Sequence, residues 1–586
     1  MIASCYHPRR LVAALLLAGC FAALLLAGPA NKISAKDDVE IAPKPRTITQ
    51  EAIAIDLDHR IMREIDTKSE VMKNLEYLCD RIGPRVTGSS NLERANKWGA
   101  ERMKAYGLEN VRLEPWEIPV AWERGPATMK LIEPNTGKYL TIAAMAWTPG
   151  TKGKVTGEVV VLEAKTKEDL AKYKGQLKGA IVLRSAPAVV APVTDLTYGP
   201  ASSGPPPKKV DPKKEEPKKD EPKKDDPKKI NADMDDPKKP EPPKKEEPPK
   251  KEEPKPTPRP SMGNINEMRK LMGEFLLAEG AAAILIDAAK PHGLLTMTGA
   301  WQEGDRGSQN EPMPTLFMVH EHYAMLYRLA TTKGASKPKV ELEVTNTFVP
   351  GPVVVYNTVG EIRGSEKPDE FVIIGAHLDS WDLGSGATDN GTGSCIVLEV
   401  ARTLAVMAKQ GLRPKRTIRF ILFSGEEQGL HGSKNYVKRH KAELPKISMV
   451  LVHDTGTGKV QTIGLQGRES VKRVLDAELT TLKEISGWQG LTLRSSGGTD
   501  HLAFEGVGVP GFACQQDIDE YRLTHHTQSD TFDHVKGPNL VQGAQVIAIT
   551  AMRAANLPEL LPREKKDEPK KVEPKKDEPK KDEPKK

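Results

Sequence analysis

The sequence predicts an α/β protein in which a mostly parallel sheet carries helices on both faces and a smaller β-rich domain is inserted. Three observations favour this fold class. Apolar strand-like runs alternate with helix-like runs between residues 353 and 557, which is typical of a sheet covered by helices. Short runs rich in Val and Ile, separated by Gly, Pro and Lys, fill residues 111 to 349. Helical periodicity spans residues 49 to 107, so the β-rich segment interrupts a larger domain.

The first 30 residues are typical of an export signal. Arg9 and Arg10 precede an apolar run over residues 11 to 26, and small residues follow that run. The segment that ends in Cys20, Leu-Ala-Gly-Cys, resembles a bacterial lipoprotein box, so a lipid anchor at Cys20 is an alternative to full release. No later apolar run is long enough to cross a bilayer, so we predict no transmembrane span in the mature chain.

Composition and periodicity divide the chain into six predicted segments. They are a signal peptide (1–30), a linker (31–48), the first part of the main domain (49–120), the inserted β-rich domain (121–350), the second part of the main domain (351–560) and a tail (561–586). Residues 204–260 and the tail are mostly Lys, Pro, Glu and Asp, with almost no apolar side chains. Such segments cannot offset the entropy of ordering, and we predict that both are disordered.

The charge balance argues against a nucleic-acid partner. The chain has 87 Lys and Arg against 80 Asp and Glu, a net charge of +7 that is the small difference between two large populations. Binding to nucleic acid needs a surface of one sign, and the lysines of this chain are accompanied by acids throughout. We therefore expect no nucleic-acid binding.

Local patterns predict individual elements in order along the chain. Ser90 and Glu93 form a capping-box pattern that predicts the start of a helix running towards Ala105, and Gly107 ends it. The further predicted elements are strands at 157–162, 180–183, 372–376, 417–423, 447–452 and 509–514, and helices at 393–408 and 429–440.

Residues able to bind a metal follow the predicted strands of the main domain. In open α/β sheets such residues converge beyond the carboxyl ends of the strands. His377 and Asp379 end the first of these strands on the same side, so we interpret His377 as a ligand and Asp379 as the acceptor that fixes its tautomer. A glycine-rich loop then brings in Asp389, whose two carboxylate oxygens can bridge two ions.

Adjacent glutamates follow the next strand. Glu427 is predicted to bind metal, while Glu426 takes a proton from an activated water and passes it to the leaving amine. The remaining strands end at Asp454 and at the pair His525 and His526, which complete the predicted set. Nitrogen and oxygen ligands without thiolate favour zinc, so we predict two Zn²⁺ per chain, with cobalt or manganese as substitutes.

Five short segments carry a family resemblance. The segments HLD, TDNGTG, SGEEQGLHGS, HDTGTG and HHTQSDT, in this order from residue 377, resemble the co-catalytic zinc exopeptidases, the family of bacterial leucyl aminopeptidases and glutamate carboxypeptidase. Residues 81–88, RIGPRVTG, and the pair 525–526 are most similar to the carboxypeptidase Q-like members. The resemblance implies a zinc exopeptidase fold, an inserted protease-associated domain at 121–350, and His526 rather than His525 as the ligand.

The loop from Ser496 to Phe504 has two interpretations. It is polar and glycine-rich, so Thr499, Asp500 and His501 are candidates for substrate contacts, although an ordinary loop has the same composition. Tyr521 is a candidate for lining the substrate pocket, with core packing as the alternative.

We predict an exported zinc-dependent exopeptidase that acts on peptides, with aminopeptidase activity first. A dipeptidase or carboxypeptidase of the same family is the alternative, because the five segments do not fix which end of the substrate is bound. A glutaminyl-cyclase-like zinc acyltransferase and a binding or adhesion protein that displays the charged tracts are alternatives from other classes. A homodimer is left open.

Overall fold

The computed structural model describes residues 47–190, 262–301, 313–518 and 520–563. The predicted signal peptide, Cys20, the Lys/Pro-rich loop and nearly all of the linker and of the tail lie outside the described residues. The described strands, in chain order, are β1 (Glu109–Glu123), β2 (Ala127–Glu133), β3 (Ile142–Ala144), β4 (Val155–Val161), β5 (Ile181–Leu183), β6 (Ala283–Asp287), β7 (Thr315–Met318), β8 (Lys339–Val344), β9 (Thr347–Ile362), β10 (Lys367–His377), β11 (Arg416–Phe423), β12 (Ile447–Val452), β13 (Val460–Gly464), β14 (Gly490–Thr492) and β15 (Gly511–Gln516).

The described α-helices vary widely in length. In chain order they are α1 (Ile48–Lys68), α2 (Val71–Glu76), α3 (Ser90–Tyr106), α4 (Lys167–Ala171), α5 (Met262–Ala278), α6 (His320–Thr331), α7 (Thr392–Lys409), α8 (His431–Arg439), α9 (Glu469–Glu478), α10 (His501–Glu505), α11 (Tyr521–Thr524) and α12 (Gly537–Ala555). Short π-helical turns cover Tyr77–Ile82 and Ala387–Gly391, and 3₁₀ turns cover Leu444–Lys446, Thr480–Glu484 and Phe532–His534.

The larger sheet has eight strands in the order β1-β9-β11-β10-β12-β15-β13-β14. Its central strands β11, β10, β12 and β15 are parallel, whereas β1, β9 and β13 pair antiparallel with their neighbours towards the centre. Every residue of β11 and β12 is buried, as expected for parallel strands covered on both faces. The predicted α/β fold with a mostly parallel sheet is confirmed.

The two faces of this sheet carry separate cores. Val372 and Ile374 of β10 belong to the large core that includes residues of α7 and α12, while Phe371 and Ile373 belong to a smaller core with residues of α8 and α10. This alternation follows from the two-residue period of a strand, which sends successive side chains to opposite faces. Helices therefore cover both faces, as predicted.

The predicted elements of the main domain match the observed ones closely, with one correction. The strand predicted at 447–452 has those bounds, and the other three differ from β10, β11 and β15 by a few residues at their ends. The predicted N-cap of α3 is wrong by one position. Ser89, not Ser90, precedes the helix, and its hydroxyl accepts a hydrogen bond from the Leu92 amide at 3.2 Å. Gly107 ends the helix in the left-handed conformation, as predicted.

A second sheet is built from strands that lie between β1 and β9 in the sequence. Its seven strands have the order β2-β8-β4-β5-β6-β7-β3. Since β1 and β9 pair with each other in the larger sheet, the chain leaves that sheet and returns beside the point of departure. The domain boundaries at residues 121 and 350, and the protease-associated identity of this region, stay predictions.

One segment among the described residues, Ala387–Lys409, has the length and apolar composition of a membrane span. The structure buries 89% of its most apolar window, which is typical of a core helix in a folded domain.

Candidate active site

The predicted metal-binding side chains meet at the carboxyl ends of the central parallel strands. His377 ends β10, the two glutamates follow β11, Asp454 follows β12, and the two histidines follow β15 after the short helix α11. Asp389 lies in the π-helical turn Ala387–Gly391 that precedes α7. The structure thus brings together all five side chains that the sequence predicts as ligands.

One group of ligand atoms surrounds the imidazole of His377. Its Nε2 atom lies 3.2 Å from Asp454 Oδ1 and 3.3 Å from Asp389 Oδ1. The three side chains are at most 7% exposed. Their ligand atoms lie within 4.8 Å of one another, a spacing at which one ion could contact all three.

A second group lies on the other side of Asp389. His526 Nε2 is 3.0 Å from Glu427 Oε2 and 3.4 Å from Asp389 Oδ2. His525 stacks on His526 with ring centroids 3.8 Å apart, but its Nε2 lies 3.9 Å from Asp389 Oδ2 and its side chain is 41% exposed. The two oxygens of Asp389 therefore face separate groups, and the shorter distances favour His526 over His525 in the second group.

The charge distribution suits divalent cations. The carboxylates of Asp379, Asp389, Glu426, Glu427 and Asp454 cluster at this site. Asp389 Oδ2 and Glu427 Oε1 are buried, and neither atom has a hydrogen-bond partner among the described residues. Removal from water raises the pKa of Glu426 and of Glu427 well above the usual range, and neighbouring carboxylates raise both further. Bound cations would neutralise this excess of negative charge, and the nitrogen and oxygen donors present fit zinc.

The neighbouring charges act oppositely on the histidine of the first group. Burial alone would lower the pKa of His377, but the carboxylate of Asp454 and hydrogen bonds to the surrounding acids raise it well above its ordinary value. A bound cation would replace the imidazole proton at Nε2, because a ligating histidine is neutral.

Asp379 has a different contact from the one predicted. The Nδ1 atom of His377 lies 3.0 Å from the backbone carbonyl of Asp379, while the carboxylate of the same residue is 3.7 Å away. The carbonyl, not the carboxylate, therefore fixes the tautomer. The carboxylate accepts hydrogen bonds from the backbone amides of Glu426 and Glu427, both at 3.3 Å, and from the Thr87 hydroxyl at 3.2 Å. Asp379 thus holds the segment that carries both glutamates.

Arg85 supports the loop between β10 and the π-helical turn. Its fully buried guanidinium donates hydrogen bonds only to backbone carbonyls among the described residues: Leu378 at 2.7 Å, Gly83 at 3.1 Å, Ser385 at 2.8 Å and Gly386 at 2.7 Å. Sequence reasoning assigned this residue no role. The segment 81–88, where this arginine follows Gly-Pro, is the only sequence feature that could have indicated its role. That segment does not show which carbonyls the guanidinium would contact.

Asp530 fixes the turn that presents Asp389. Its Oδ1 atom accepts from the Thr388 amide at 2.6 Å and the Thr388 hydroxyl at 2.8 Å, and its Oδ2 atom accepts from the Asp389 amide at 3.2 Å. Burial and the nearby charge of Asp389 raise the pKa of Asp530 to about 7. The sequence places Asp530 four residues after His526, but it does not predict the hydrogen-bond partners of this carboxylate.

Residues that follow β6 in the second-sheet region hold the two histidines. The Lys290 ammonium donates to the carbonyls of Arg522 and His525 at 2.8 and 3.2 Å. The Met297 amide donates to the His526 carbonyl at 2.8 Å. His526 has a positive φ of 59°, which is rare for a residue with a side chain and requires such support.

A cleft of about 730 Å³ opens above the clustered residues. Thr499 and Tyr521 line it, as the sequence predicts for substrate-contacting residues. Asp500 and His501 do not line it and are fully buried behind its wall, so the interpretation of these two as direct substrate contacts is wrong. His501 instead has its Nε2 atom 3.2 Å from the Ser496 carbonyl, which is a structural role.

Known proteins similar to this chain are peptidases. The sequence profile described as peptidase family M28 matches residues 357–551. Carboxypeptidase Q of Bos taurus is 28% identical over 84% of this chain and 86% of its own length. Among solved structures, a peptidase M28 precursor from Shewanella amazonensis has a TM-score of 0.64 at 23% identity, covering 88% of this chain and 100% of its own. A zinc aminopeptidase from Bacillus subtilis has a TM-score of 0.52 at 18% identity, covering 82% and 93%.

Proposed function

Since this chain is a metallopeptidase of family M28, we propose that it is an exported exopeptidase that uses two zinc ions to remove terminal residues from short peptides. The observation that carries the proposal is the position of Asp389, whose Oδ1 and Oδ2 atoms face two separate groups of ligand atoms. A carboxylate shared in this way is typical of sites that hold two ions.

The ligand assignment follows these two groups. His377 and Asp454 would hold one ion, Glu427 and His526 would hold the other, and Asp389 would bridge them. Zinc ions bound there supply Lewis-acid chemistry, polarising the peptide carbonyl and lowering the pKa of a water molecule.

Glu426 is the proposed general base. It lines the cleft beside the two groups and belongs to neither, so its carboxylate is available for proton transfer. It takes a proton from the attacking water and delivers it to the leaving amine as the peptide bond breaks. Asp379 keeps this carboxylate in place through the backbone amide of Glu426.

Aminopeptidase activity is the first proposal for end specificity. Dipeptidase or carboxypeptidase activity is the second, and the similarity to carboxypeptidase Q favours it. Export rests on the predicted signal peptide. The second-sheet region is proposed to act as a protease-associated domain that shapes the site, which the contacts of Lys290 and Met297 support.

The test is mass spectrometry of the products that zinc-loaded protein forms from one short peptide in three forms: free, N-acetylated and C-amidated. Aminopeptidase activity is expected to stop only on acetylation, and carboxypeptidase activity only on amidation. A loaded protein with two zinc ions that cleaves neither peptides nor dipeptides would refute the proposal. Cyclisation of an N-terminal glutamine would then favour the acyltransferase alternative.

A further inference from the structure

A single basic side chain stands out in the wall of the active-site cleft. The described residues that line the cleft include Asp389, Glu426, Glu427, Asp454 and Asp517, and among them Arg494 is the only Lys or Arg. A cleft with so many carboxylates repels anionic substrates unless cations offset the charge. Arg494 is therefore placed where it can change which substrates enter.

The backbone that carries Arg494 is fixed by hydrogen bonds on both sides. Before it, the Leu493 carbonyl accepts from the Gly467 amide at 3.0 Å. After it, the Ser496 amide and carbonyl bond the side-chain amide of Gln466 at 3.1 and 2.8 Å, and the Ser496 hydroxyl accepts from Gln515 at 3.1 Å. The attachment point of this side chain is thus held in place.

The Arg494 side chain itself is exposed and has no hydrogen bond or ion pair within the described part of the chain. A nearby arginine of the same region behaves differently, because Arg468 is buried against Glu505 with an N to O distance of 2.8 Å. A guanidinium on a cleft-lining residue that has no internal partner keeps all its donors available for a ligand.

The sheet register locates Arg494 along the cleft. Thr492 of β14 pairs with Gly464, which pairs with Ala513 of β15, and Arg494 follows two residues after Thr492. Ala513 and Gln516 both line the cleft, and the three residue steps along the strand from one to the other span about 10 Å. The Gln516 end lies at the carboxyl edge of the sheet, beside the candidate metal ligands, so Arg494 lies towards the opposite end of the cleft. A short peptide spans this distance.

We propose that Arg494 binds a carboxylate of the substrate, so that the enzyme selects short peptides with a negative charge a few residues away from the hydrolysed bond. This inference rests on the proposed peptidase function and deepens it. The planar guanidinium matches a carboxylate with two parallel hydrogen bonds, which lysine cannot reproduce. The carboxylate comes either from the peptide C-terminus or from an Asp or Glu side chain.

The experiment compares wild type with Arg494→Gln and Arg494→Lys on a matched set of short peptides. The set contains one peptide with a free C-terminus, its C-amidated form, and versions of each with Glu or Gln at one position. For peptides that carry the recognised carboxylate, Arg494→Gln is expected to raise KM roughly 10- to 100-fold with kcat nearly unchanged. The Lys variant is expected to lie between wild type and the Gln variant.

The control is Arg473→Gln, since Arg473 is exposed in α9 and does not line the cleft. If only amidation abolishes the difference between Arg494→Gln and wild type, the recognised group is the C-terminal carboxylate. If only the change of Glu to Gln abolishes it, the group is an acidic side chain. A KM rise that is equal for charged and uncharged peptides, or no rise at all, overturns the inference. Failure of the wild type to cleave any peptide instead counts against the proposed function.

Discussion

The two groups of candidate ligands are supported in different ways. His377 ends the buried parallel strand β10, and Asp454 lies just after the buried parallel strand β12. Their side chains are 1% and 7% exposed. His526 lies beyond the short helix α11, is 24% exposed, and depends on backbone contacts from Lys290 and Met297 in the second-sheet region. The first group is therefore fixed by the sheet, whereas the second, through His526, also depends on a region that is distant in sequence. We expect the first group to bind its ion more tightly.

The largest expected effect belongs to neither group. Glu426→Gln removes the proposed base while leaving every proposed ligand, so kcat should fall by roughly 10²- to 10⁴-fold with two metal ions retained. Steady-state kinetics and elemental analysis of the same sample check this. Turnover at the wild-type rate would remove Glu426 from its assigned role.

The next effect tests the difference between the groups directly. His377→Ala should lose at least one ion and nearly all activity, because the removed imidazole contacts the carboxylates of both Asp389 and Asp454. His526→Ala should lose one ion and keep the other, since the first group is complete without it. Metal content after dialysis against a weak chelator distinguishes them. Retention of both ions in His377→Ala would exclude this residue as a ligand.

The extent to which sequence predicted this site follows from the type of interaction. The ligands were predictable because each follows a strand whose apolar pattern is readable, and parallel strands bring their ends together. The contacts of Arg85, Asp530 and Lys290 were not predictable, because they are made mostly to backbone atoms whose positions depend on the folded loops. Asp500 was misassigned for a related reason: a polar loop sequence does not reveal that the side chain turns inward.

Arg85 tests whether the shared ligand depends on its loop. Arg85→Met would remove the hydrogen bonds to four backbone carbonyls, which should lower the free energy of unfolding by about 3 kcal/mol or more. The substitution should also lower the affinity of the site for both metal ions, since the loop leads into the turn that carries Asp389. Arg81→Met, an exposed residue of the same segment, is the matched control.

Thermal unfolding with and without added zinc measures the first effect of Arg85→Met, and metal titration measures the second. Where the Met variant does not fold, Arg85→Lys keeps the positive charge but replaces the planar fork by a single ammonium. A variant that loses stability while binding both ions as wild type does would restrict Arg85 to a purely structural role.

The smallest expected effect sharpens the comparison most. Lys290→Met keeps the length of the side chain but removes the ammonium that holds the carbonyls of Arg522 and His525. The segment that carries His526 should then be less well ordered, so the affinity of the more weakly held ion should fall roughly 10-fold while the other ion is unaffected. Cobalt titration followed by absorbance separates the two binding steps, with Lys174→Met, exposed in the same region, as the control. Equal weakening of both steps would mean that the second-sheet region supports the whole centre, and the contrast between the two groups would not hold.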